Sequence, residues 1–76
     1  MSDEQDWAER TKRFLKVELK RHDVTHEELA RRLTDLGMPE TKASVANKIS
    51  RGGFAAAFFL ASMKAIGCKS IKVDDL

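Results

Sequence analysis

The 76-residue chain has one cysteine, Cys68, so it can form no internal disulfide and no four-cysteine zinc site. A lone thiol suits a reducing compartment. Long apolar runs are also missing. The longest uncharged one, residues 54–63 with Ser62 inside it, is too short to span a bilayer, and the acidic start is unlike a signal peptide. The chain is therefore expected to be soluble and cytoplasmic, with no membrane association. His22 and His26 have the spacing of a metal-ligand pair, but Val24-Thr25 reads as a helix start between them, so no metal is expected. Glu27 and Glu28 are adjacent and do not face one another, and Cys68 has neither a base nor a resolving cysteine. Gly52-Gly53 lacks the spacing and the preceding strand of a phosphate-binding fingerprint. With no nucleophile, base and oxyanion site in view, the chain does not read as an enzyme, and no cofactor is expected.

What the chain does have is patterned charge and helical periodicity. Its formal net charge is +2, yet residues 10–51 carry eleven basic side chains against six acidic ones, with acids at both ends. A basic middle of that kind is what attraction to phosphate requires, although ordinary solvated helices carry similar excesses. The length gives one domain, 1–76, close to the size at which a single core barely suffices, which favours a partner subunit. Residues 1–9 form the acidic start of the first helix and 69–76 a short tail.

The expected fold is all-α, a small bundle of four to five helices. Ser2 and Gln5 have capping spacing, and Trp7, Thr11, Phe14, Leu15 and Leu19 make an apolar stripe that should end near Arg21 or His22. Thr25 and Glu28 form a second capping box with Val24 and Leu29 as its hydrophobic staple. Leu29, Leu33 and Leu36 then face the core, Gly37 ends that helix, and Pro39 keeps the chain extended up to Thr41. A fourth helix, 54–66, is apolar on almost every side, and a helix of that kind is normally wholly buried. Either the first helix wraps over it or a second copy covers it. The second option makes Phe58, Phe59 and Met63 a dimer interface. Ile71-Lys72-Val73 alternates like a short C-terminal edge strand that would extend that interface through Ile71 and Val73.

The most informative segment is 41–52. Thr41 is placed as an N-cap, Val45 and Ile49 share an apolar stripe, and Gly52 stops the helix. Lys42, Ala43, Asn47, Lys48 and Arg51 remain outward. Lys and Arg neutralise phosphate or donate to guanine, and Asn pairs with adenine through both amide groups, so the helix suits a major groove. Backbone N–H groups at the Gly52-Gly53 corner would favour a further phosphate.

The run Thr25-His-Glu-Glu-Leu-Ala-Arg-Arg-Leu33, followed by Thr41-x-x-Ser-Val-x-Asn-x-Ile-x-x-Gly52, resembles the helix-turn-helix of lambda-repressor-like, Cro-type regulators. With the Phe-Leu-Lys-Val-Glu-Leu-Lys start and the Arg-Gly-Gly-Phe step, the chain is similar over roughly 10–68 to short bacterial proteins classed as a domain of unknown function. The repressor resemblance implies base contacts from Lys42, Ala43, Ser44 and Asn47, and phosphate contacts from Thr25, Thr41, Lys48, Arg51, Gly52 and Gly53. It departs from the motif at Thr34, where a glycine is usual; the glycine comes at 37, which implies a longer first motif helix and a longer turn.

Two functions fit these residues. One is a homodimeric, sequence-specific double-stranded-DNA-binding transcription regulator associated with the nucleoid. The other is a protein-interaction module, an antitoxin or adaptor, that uses helix 54–66.

Overall fold

Four α-helices and one short 3-10 turn make up the computed structural model, which describes residues 3–76. The order is α1 (Asp3–Arg21), α2 (His26–Asp35), α3 (Lys42–Arg51), α4 (Ala56–Ile66) and the turn Val73–Asp75. Ser2 lies outside the described residues, so its capping role is not described. Acids open α1 at Asp3, Glu4 and Asp6, and Lys20 and Arg21 close it, which complements the helix dipole at both ends.

One core joins all four helices: Leu15 and Leu19 from α1, Leu29 and Leu33 from α2, Val45 and Ile49 from α3, and Phe58, Met63 and Ile66 from α4. Against it stands an aromatic group. Phe54 meets Phe58 edge-on at 5.4 Å and stacks on Phe59 at 6.2 Å, while Phe14 of α1 meets Phe59 at 6.2 Å.

Three helices end in one hydrogen-bond pattern, the Schellman motif, in which residue n bonds back to n−5 and residue n−1 to n−4. Val24 N–H donates to Leu19 O and Asp23 N–H to Lys20 O; Met38 donates to Leu33 and Gly37 to Thr34; Cys68 donates to Met63 and Gly67 to Lys64. The motif needs a left-handed residue in its penultimate place. Gly37 and Gly67 supply it at φ 91° and 87°, but after α1 the residue is Asp23, at φ 56°. In each case the following side chain, Val24, Met38 or Cys68, packs onto the core.

Several expectations need correction. Leu36 is 50 % exposed rather than buried, because α2 stops at Asp35 and the chain turns so that Met38 packs inward instead. Thr25 accepts from Glu28 N–H at 3.1 Å, but the reciprocal half of that capping box is not made; the Glu28 carboxylate is held by Arg31 and Arg32. Helix α4 begins at Ala56, not Phe54, since Gly52 and Gly53 both have positive φ and the chain is still extended at Ala55. No strand occurs among the described residues. The edge strand expected at 71–73 has no sheet to join, and the tail closes in the 3-10 turn Val73–Asp75, after which Leu76 accepts two hydrogen bonds from Arg10 through its carbonyl oxygen.

Candidate nucleic-acid interface

Helix α3 is fixed from both sides before its outer surface is considered. Val45 and Ile49, almost fully enclosed, bind it to the core. At its start Thr41 Oγ1 accepts from Ser44 N–H at 3.0 Å and Ser44 Oγ accepts from Thr41 N–H at 2.8 Å, a complete capping box in which serine takes the usual glutamate place. The connection 36–41 is anchored by Thr34. Its hydroxyl donates to Ala30 O at 2.8 Å and accepts from Glu40 N–H at 3.2 Å, so the residue that departs from the repressor motif ties the connection to α2.

Glu40 is the residue that sequence reasoning missed. Its side chain is only 4 % exposed, and its carboxylate accepts from Ser44 Oγ at 2.6 Å and pairs with Lys48. Burial pushes this carboxyl up, but the hydrogen bonds from Lys48 and Ser44 more than cancel that and leave it below its ordinary value. Lys48 also lies 5.2 Å from the Phe58 ring centroid. Thr41, Ser44 and Lys48 are thus drawn into one internal network. Glutamate immediately before an N-cap, with Ser and Lys at successive four-residue steps beyond it, was the available signal; that spacing does not carry the enclosure of the carboxylate.

The other α3 residues form the outward face. Lys42, Ala43, Asn47 and Arg51 are exposed, and none of these side chains makes a hydrogen bond or ion pair among the described residues. Ala43, Asn47 and Arg51 follow at four-residue steps along one line of the helix, with Lys42 beside its start. No acidic residue occupies the first turn of α3.

The remaining sites predicted for phosphate are more enclosed or more acidic than the sequence suggested. Thr25 caps α2, whose first turn holds Glu27 and Glu28. Two hydrogen-bonding arginines, Arg31 first and then Arg32, hold the Glu28 carboxyl down at about 2. Arg32 continues to Ala65 O at 3.1 Å and so joins α2 to the last turn of α4. Gly52 lies against α1: a Cβ there would stand 3.5 Å from Lys12 Cδ, and Lys12 Nζ donates to Ser50 O at 2.8 Å. Gly53 and Phe54 share a shallow hollow with Glu4, Trp7, Ala8 and Thr11 of α1.

Among the residues predicted for a dimer interface, Phe58 and Met63 are each 3 % exposed inside their own chain, so neither is available to a second copy. Helices α1 and α2 pack against α4 and its inner side, Phe58, Ser62, Met63 and Ile66, is buried. Phe59 and Ile71 are half-buried, and Val73 is 67 % exposed. Leu60, 58 % exposed, is the large apolar α4 residue left outside; it borders a hollow of about 540 Å³ shared with Met63, Lys64, Cys68 and Ile71.

His22 lies past the end of α1 and His26 opens α2, and the described residues hold no group of three or more metal-ligating side chains. No described helix is long and apolar enough to cross a membrane.

Residues 7–71 match the family model described as Domain of unknown function (DUF6471), and the chain belongs to that family. No curated protein and no solved structure matches it.

Proposed function

We propose that this member of the family is a sequence-specific double-stranded-DNA-binding protein, a transcription regulator of helix-turn-helix type, with α3 as the helix that enters the major groove. The observation that carries the reading is the outward face of α3. Lys42, Asn47 and Arg51 are exposed and have no partner among the described residues, while Thr41, Ser44 and Lys48 are engaged. Asn47 offers an amide to adenine, Lys42 a donor to guanine, and Ala43 a small apolar surface to a thymine methyl. Arg51 and the N–H groups of the first turn of α3 are the phosphate contacts. Ser44 and Lys48 take a smaller part than the repressor resemblance implies, because both are bound to Glu40.

Reading a palindromic site requires two copies with their α3 helices about 34 Å apart. The strip formed by exposed Leu60 and half-buried Ile71 is the surface we assign to that contact. The same strip favours the second reading, a protein-interaction module, in which α3 would have no nucleic-acid partner.

Selection from a random pool of duplex DNA, followed by sequencing, distinguishes the two. An enriched site lost by Lys42→Ala/Asn47→Ala supports the DNA reader. Absence of binding even at low salt supports the interaction module.

A further inference from the structure

The outer face of α1 carries a row of cations whose first member, Lys12, pairs with Glu9 at 4.0 Å and whose other members no internal ion pair uses among the described residues. Lys12, Lys16 and Lys20 recur at four-residue steps, and Arg13 stands beside them. Arg13, Lys16 and Lys20 are exposed and make no ion pair among the described residues. Most other helical cations of the chain do: Lys12 with Glu9, Arg21 with Glu18, Arg31 with Glu28 and Asp35, Arg32 with Glu28, Lys48 with Glu40, Arg10 with Asp6. A face that merely solvates a helix commonly mixes signs at such spacing. Here the one acid between residues 10 and 20, Glu18, is turned inward onto Arg21 and Cys68, so past Glu9 the helix itself presents no acid outward up to Lys20.

The row is also attached to α3. Lys12 bonds to Ser50 O, and Gly52 lies against Lys12 and Ala8, so the stripe leaves the last turn of α3 and runs along α1 towards the start of α2. Eight residues of helix cover about 12 Å, while one DNA strand presents a phosphate about every 3.4 Å of axis.

We propose that Lys12, Arg13, Lys16 and Lys20 form a second contact surface, one that follows the phosphate backbone of the duplex whose major groove α3 enters. The inference rests on the DNA-binding reading. It assigns α1 the sequence-independent part of binding and leaves base preference to α3.

The test is a salt titration of duplex binding, on the selected site and on a scrambled one, with the full chain. Lys16→Ala/Lys20→Ala should reduce the slope of log K against log salt by nearly two, about 0.9 for each phosphate contact, with base preference unchanged. Lys69→Ala/Lys72→Ala, which removes the same charge from the C-terminal segment, should leave the slope as it is. Equal losses in both variants, or no loss in the first, overturn the α1 surface while leaving α3 as the reader. Wild-type protein that binds neither duplex overturns both.

Discussion

Lys48 is ion-paired with the enclosed carboxylate of Glu40, so a cation that the sequence places on the DNA-facing helix is held by the protein itself. Glu40→Gln should break that restraint. Stability should fall by about 1–2 kcal/mol, the lower part of the range for charged hydrogen bonds, because Lys48 is 38 % exposed. Binding to duplex DNA should tighten, with a salt slope steeper by about one as Lys48 becomes free to meet a phosphate. Urea unfolding and a salt titration read the two effects. Unchanged stability would remove Glu40 as an anchor of α3.

The same pair marks where sequence reading stops. Local signals located α2 and α3 within a residue or two, because Thr25, Thr41, Gly37 and Gly52 act on their immediate neighbours. Burial of Val45, Ile49, Leu29 and Leu33 was legible from spacing alone. The fate of Lys48 was not, since the Phe58 ring beside it comes from a helix further along the chain, nor was the enclosure of Glu40. Dependence on tertiary packing also explains Phe58 and Met63: an all-round apolar helix signals burial without saying which surface covers it. The expected strand failed for a related reason, because three alternating residues carry no information about a partner edge.

Asp23 holds a left-handed conformation in the one Schellman motif built without glycine. A Cβ in that conformation costs about 1–2 kcal/mol, and glycine's extra freedom in the unfolded chain returns about 0.5–1 kcal/mol of it. Asp23→Gly should therefore stabilise the protein by about 0.5–1 kcal/mol and raise Tm by about 3–6 °C. A lower Tm would show that the Asp23 side chain contributes something the backbone geometry does not reveal.

The Ser62 hydroxyl is fully enclosed in α4 and has no hydrogen-bond partner among the described residues. Ser62→Ala removes an unsatisfied group at little change in volume, so stability should stay level or rise by about 1 kcal/mol. Guanidinium melts compare the two proteins directly. A loss above 1 kcal/mol would mean that the hydroxyl is bonded in solution.

The Glu28 carboxyl titrates at about 2, below its ordinary 4.5, owing to Arg31 and then Arg32. A lowered carboxyl stabilises the fold fully above its unfolded value and less as acid protonates it. The contribution is thus complete above pH 4.5 and disappears as pH falls towards 2. The stability difference between wild type and Glu28→Gln should be constant near neutrality and close between pH 4.5 and 2. A gap that persists at pH 2 would place its origin elsewhere.

The central claim is that α3 reads base pairs through Lys42 and Asn47. Its most direct measurement is the affinity of Asn47→Ala for the selected duplex and for scrambled DNA, each compared with wild type at one salt concentration. If α3 reads bases, the loss is about 1–3 kcal/mol on the selected site and almost nothing on the scrambled one, with relaxed preference at a single base position. Equal affinity of wild type and variant for the selected duplex would contradict it.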